Sequence, residues 1–181
     1  MFVLGHLGVG SALARPCSRG LKKRFMFLGT LLPDLIDKPL YYGLSLITGL
    51  KGADLGIISG TRTFGHTALF LLTLCVIAFA RRSRVLVALA LGIATHLVLD
   101  GLWDRLGPTT LPLGDISPLA GIFWPALGTQ FPIYPFNDVQ DHLSKFLQPA
   151  FWGGELLGLA LLSLELLRFR YPSEYRTKPP R

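Results

Sequence analysis

Apolar residues fall in five blocks along the chain: Met1–Ala14, Phe25–Leu32 continuing past a proline to about Leu50, Phe64–Ala80, Val85–Trp103 and Pro149–Leu167. A helix needs ~20 apolar residues to cross ~30 Å of hydrocarbon, and only the last three blocks approach that length. The first block is short, and Pro33 and Pro39 interrupt the second. Short or broken helices persist at membrane depth only where other protein, or a water-filled cavity, satisfies their freed backbone groups. The pattern predicts an all-α, polytopic membrane bundle of about five segments, the first two short or broken, around a polar pocket. Residues 104–148 form a connection rich in Pro108, Pro112, Pro118, Pro125, Pro132 and Pro135, with Phe123, Trp124, Phe131, Tyr134 and Phe136 among them. Periodic helix is not expected over most of it. It is either a segment in the outer interface covering the bundle mouth, where Trp and Tyr rings favour headgroup level, or an ordinary extracytoplasmic loop.

Composition agrees with this class. Half of the 181 residues are hydrophobic, 16% are charged and the mean hydropathy is +0.47. Soluble domains carry about 25% charged residues, so a water-soluble globule is disfavoured, and the blocked hydrophobicity excludes intrinsic disorder. The length suits a single integral membrane domain over residues 1–181. The net charge of +7 comes from clusters that flank apolar blocks: Arg15 to Arg24, Arg81-Arg82-Ser83-Arg84, and a basic tail over residues 168–181. Positive charge marks the cytoplasmic side of membrane segments, so all three clusters are expected there. Asp34, Asp37, Asp54, Asp100, Asp104, Asp115, Asp138 and Asp141 fall in the alternate, outer segments. The charge therefore reports orientation, and nucleic acid is not an expected partner. Basic residues follow the first block instead of preceding it, which predicts a retained helix with its N-terminus outside, not a signal peptide. Cys17 and Cys75 form no metal or disulfide motif.

This topology draws chemistry to one face. His6 opens the first segment from outside, Asp34 and Asp37 lie where the second arrives, His66 opens the third, and His96 and Asp100 close the fourth. In His96-Leu97-Val98-Leu99-Asp100 the two polar groups are an i, i+4 pair on one helix face, Cβ atoms about 5–6 Å apart. An Asp in such a segment costs roughly 2.5–3.5 kcal/mol on insertion scales and marks a functional site by default; the alternative is a hydrogen-bonded pair joining helices. Asp34 and Asp37, three apart after Pro33, repel unless a cation, a proton or an arginine intervenes, although Lys38 offers a salt-bridge partner. In Arg62-Thr63-Phe64-Gly65-His66-Thr67, His66 is a candidate ligand, Gly65 permits close backbone approach and Arg62 can hold an anionic oxygen. The competing reading has Thr63 as a helix cap, Arg62 at the interface and His66 in the core. His6 alone is equally a satisfied core residue. Together, imidazoles and carboxylates without thiolate suit Zn²⁺, Mn²⁺ or Fe²⁺, as one or two ions. Asp138-Val139-Gln140-Asp141-His142 offers a further pair, favoured as a solvated turn.

Gly5-His6, Leu32-Pro33-Asp34-Leu35-Ile36-Asp37, Arg62 to Thr67, His96-x-x-x-Asp100 and Trp124-Pro125, in that order, resemble the LexA-regulated, inner-membrane, metal-dependent hydrolase family of bacteria. The resemblance covers about Met1 to Pro135 and implies a bacterial inner-membrane location. Through that family's grouping with zinc-dependent phospholipase C and the P1-type nucleases, it also implies phosphoester cleavage. By position it implies His6, Asp34, His66, His96 and Asp100 as metal ligands, with Asp37 a ligand or a base. The family's loop reads His-Arg-Gly-x-Thr-His-Ser, so Thr61 stands in place of one possible ligand and Gly65 in place of a hydroxyl residue. The resulting expectation is a hydrolase acting on a lipid or lipid-linked phosphoester that enters from the outer leaflet, with Arg62 stabilising negative charge and Asp37 positioning water or acting as base. The rival classes are a proton or metal transporter, which needs polar groups continuing to the inner side, and a membrane scaffold with a structural metal.

Overall fold

The computed structural model describes residues 3–106, 117–133, 139–144, 147 and 149–170, all helix, turn or loop with no β-strand among them. The helices are α1 (Val3–Ala14), α2 (Lys23–Thr48), α3 (Ala68–Ala80), α4 (Arg84–Leu106), α5 (Pro118–Ile122), α6 (Val139–Ser144) and α7 (Pro149–Arg170). Their close contacts fix the directions. Gly29 of α2 abuts Leu89 of α4 and Gly92 of α4 abuts Met26 and Gly29 of α2; with Met26 packed on Ala88 and the Thr30 carbonyl bonded to His96 further along, these two helices run parallel. Gly8 of α1 abuts Gly158 of α7, and since Leu4 and Gly5 meet Glu155 at one end and Arg15 meets Glu165 at the other, α1 and α7 form a second parallel pair. Between them, Gly10 of α1 faces the side chains of Thr30 and Thr95. α3 returns beside α4 through a tight turn at Arg81-Arg82-Ser83.

Small residues are what make these crossings possible. A Cβ on Gly92 would stand 2.2 Å from the Met26 carbonyl oxygen, and one on Gly8 would stand 1.8 Å from that of Gly158. Lipid tails are as apolar as leucine, so apolar burial does little to join helices in a bilayer, and close backbone packing takes over. The outer surface is correspondingly greasy: Leu69, Leu72, Val76, Ile77 and Phe79 of α3 are exposed, and Ala78 is the one buried residue of that helix.

Helix lengths depart from the block pattern in two places. The second segment is one α-helix of 26 residues with Pro33 and Pro39 inside it, not a broken one. Proline withholds an N–H and crowds the turn before it, and here the Thr30 carbonyl of that turn accepts a hydrogen bond from His96 Nδ1 at 2.7 Å. The third segment is shorter than its apolar block, because Phe64–His66 is a separate 3-10 turn and α3 has only 13 residues, starting after Thr67 caps the amide of Phe70. By length and composition, Arg84–Arg105 is the one helix among the described residues able to cross a membrane. Parts of the long connection (107–116, 134–138, 145–146 and 148) and of the tail (171–181) lie outside the described residues.

The two ends of the bundle are chemically distinct. At one end Glu165 of α7, 4% exposed, accepts a hydrogen bond from Arg15 at 2.9 Å and another from Lys23. At the other end lie the histidines and aspartates. Gly92→Ala should destabilise the protein by about 1–3 kcal/mol through overpacking. Gly43→Ala, with nothing within 4 Å of its new methyl, should match or exceed wild type; thermal unfolding in detergent compares the two.

Candidate metal centre

The site is built around the segment ahead of α3. Asp37, wholly buried on α2, accepts the backbone N–H of Thr63 at 2.7 Å and of Gly65 at 2.9 Å, and its Oδ2 also faces His66 Nδ1 at 2.7 Å. This holds residues 63–66 against α2. Gly65 allows the approach, since a Cβ there would lie 3.0 Å from the Pro33 carbonyl oxygen. The carboxylate can only accept, so His66 Nδ1 carries a proton and its Nε2 points into the bundle.

His96 is oriented by the same logic from the other side. A carbonyl oxygen can only accept, so Nδ1 donates to Thr30 and Nε2 turns inward, where it lies 3.1 Å from His66 Nε2. An approach this close needs a positive charge between the two nitrogens, either a proton shared by them or a cation bound by both. A zinc ion sits about 2.0–2.1 Å from each imidazole nitrogen it binds, which suits donors this far apart. Asp100 Oδ2 stands 3.4 Å from His96 Nε2 and 3.6 Å from His66 Nε2, and Asp34 Oδ1 stands 3.5 Å from His66 Nε2. Two overlapping donor groups result: His6, His96 and Asp100, and Asp34, His66 and His96. Burial opposes charge on His66, but Asp34 and Asp37 prevail and raise its pKa above the ordinary histidine value. That field favours positive charge, as a proton or as a metal ion.

His6 completes the cluster from α1. Its ring stacks on His96 at 4.0 Å between centroids, and its Nε2 is 3.4 Å from Asp100 Oδ1. His6 Nδ1 and Asp100 Oδ1 are buried with no hydrogen-bond partner among the described residues. Buried polar atoms are normally satisfied, so the orphaned Asp100 oxygen fits a site whose occupant is an ion. Arg62 stands beside Asp100, with Nε 3.1 Å from its Oδ2 and a terminal nitrogen 2.7 Å from Asp104. Arg62, His66, Asp100, Asp104, Ile122 and Pro132 all line one cavity, which offers a water-sized sphere about 20 Å³. That suffices for an ion or a water. Above it Phe64, Trp124 and Phe131 pack edge and face at 5.2–5.4 Å, joining the α5 region to the site.

All six residues singled out as ligands thus lie in one buried cluster, in differing positions. His6, Asp34, His66, His96 and Asp100 surround the focus. Asp37 sits behind His66 with both oxygens taken by N–H groups, and Asp34 also pairs with Lys38 at 2.6 Å. The helix cap is Thr67, not Thr63. Asp104 and the Thr30 carbonyl escaped the sequence reading; Asp104 was visible as the next i+4 position after Asp100. Asp138 and the His142 side chain lie outside the described residues.

A family model described as YdjM inner membrane protein matches residues 1–167. No curated protein and no solved structure gives a significant match.

Replacing Asp37 by Ala strands two buried backbone N–H groups and the His66 Nδ1–H, each costing about 1–3 kcal/mol when unpaired. Asp37→Ala should therefore lower the unfolding midpoint in detergent more than Lys38→Ala, which breaks a single partly buried ion pair and strands no backbone N–H.

Proposed function

This chain belongs to the YdjM inner membrane protein family, and from that membership and the geometry of its His/Asp cluster we propose a multi-pass, metal-dependent hydrolase. In this reading α1, α2, α3, α4 and α7 are the five membrane segments, α4 long and apolar enough to cross unaided and the others held at membrane depth by packing on it or on one another. The basic end faces the cytoplasm and the His/Asp end faces outward. The observation that carries the metal assignment is the pair of inward-facing Nε2 atoms of His66 and His96, 3.1 Å apart beside Asp34 and Asp100.

A divalent ion, zinc before manganese or iron for this donor set, would be held by His66, His96, Asp100, Asp34 and His6, and would supply Lewis-acid polarisation of a phosphoryl oxygen and activation of water at neutral pH. The protein's own groups do the rest. Asp37 and the Thr30 carbonyl fix the imidazole tautomers, a role whose loss typically costs 10–100-fold in metal affinity or activity. Asp104 holds Arg62 with its guanidinium on the cavity wall, where it pairs with a phosphoryl oxygen of the substrate. The apolar cover of α5, Phe64, Trp124 and Phe131 receives the hydrocarbon part of the substrate. Phosphoesters of lipids or lipid-linked molecules combine the required headgroup with a tail that arrives through the bilayer.

Purified protein loaded with zinc in detergent should hydrolyse a phospholipid or a chromogenic phosphodiester. Asp100→Ala should reduce turnover to background. Full hydrolysis by that variant sinks the mechanism.

A further inference from the structure

Among the described residues α7 supplies no group to the cluster, yet it grips the helix that supplies His6. Glu155, 5% exposed in an otherwise apolar stretch of α7, accepts the backbone N–H of Leu4 at 2.9 Å through one oxygen and that of Gly5 at 3.1 Å through the other. The first four N–H groups of a helix have no partner within it, and a carboxylate at that end also opposes the positive pole of the helix dipole. Glu155 is thus a cap delivered from a distant part of the chain, set on the turn that bears His6. One turn on, the Gly8 and Gly158 backbones touch, so α1 cannot slide or rotate without breaking contacts at both places. Among the described residues the His6 ring is held only loosely by its own contacts: its Nδ1 lacks a hydrogen-bond partner, its Nε2 reaches Asp100 at 3.4 Å, and its face rests on His96.

We propose that Glu155 is a positioning residue that aims His6 at the metal cluster by capping α1 from α7. The proposal rests on the metal reading for its effect on affinity, and on the helix contact alone for its effect on His6. Without the cap, the amides of Leu4 and Gly5 are left in an apolar setting, the first turn of α1 frays, and His6 leaves the ring stack with His96. The Arg15–Glu165 pair at the far end of α1 holds the helix but not this turn.

The experiment compares wild type, Glu155→Ala, Glu155→Gln, His6→Ala and the double variant His6→Ala/Glu155→Ala, all in detergent. Zinc affinity is measured by chelator competition. Modification of His6 by diethylpyrocarbonate is measured on zinc-free protein by mass spectrometry. Glu155→Ala should weaken zinc binding by about 10–100-fold and expose His6, which is 1% exposed in the folded chain, to rapid modification. Glu155→Gln keeps an acceptor oxygen and should restore much of both. Once His6 is gone, losing Glu155 should weaken zinc little further, since residues acting as a unit are not additive. Wild-type affinity with His6 still protected in Glu155→Ala overturns the proposal, as does full additivity in the double variant. A wild type that binds none of zinc, manganese and iron overturns the metal reading instead, and His6 modification then decides the positioning role by itself.

Discussion

One buried carboxylate ties the site together. Ionised Asp37 lies out of solvent, a placement that costs several kcal/mol unless the charge is well paired and hydrogen-bonded. Thr63, Gly65 and His66 supply those bonds, and in doing so give up the regular helix that their apolar block would otherwise extend. The consequence is a rigid corner ahead of α3 with one imidazole nitrogen bound and the other aimed inward. From there the constraint passes to His96, whose Nδ1 returns to the Thr30 carbonyl of α2. α2, the corner and α4 thus form a closed circuit that aims two nitrogens at one point.

The same bundle separates its polar interior into two zones. Backbone contacts at Gly29, Gly92, Gly8 and Gly158 close the waist with almost no side-chain volume. One end is left to the Arg15–Lys23–Glu165 cluster and the other to the histidines and aspartates. An apolar skin surrounds both, so each charged group meets other protein groups first. That arrangement suits a family of inner membrane proteins and keeps the site's charges in a medium where they act strongly on each other and on whatever enters.

Much of the candidate site was legible because it follows helical geometry. His96 and Asp100 are an i, i+4 pair, and their side chains approach to 3.4 Å. The alternation of basic and acidic segments also anticipated that His6, Asp34, His66, His96 and Asp100 would gather at one end. The extent of the helices was less legible. Pro33 and Pro39 suggested a break, but α2 continues through both, packed along α4, whose His96 bonds the Thr30 carbonyl in the turn before Pro33. The third block looked long because Phe64, Gly65 and His66 are compatible with helix by composition; only the distant Asp37 decides otherwise. Glu155 was an acid inside an apolar run, a signal open to the charge pattern, yet its partner is backbone N–H and no side-chain motif announces that. Asp37 carried the right residue type for a ligand, and only its three N–H donors place it behind the imidazole.

Metal content tests the central claim most directly. Inductively coupled plasma mass spectrometry on detergent-purified wild type, beside a His96→Ala/Asp100→Ala variant, measures whether the converging nitrogens and carboxylates hold an ion. The account predicts stoichiometric zinc, manganese or iron in the wild type and its loss from the variant. A folded wild type that takes up none of the three, even after incubation with each, contradicts it.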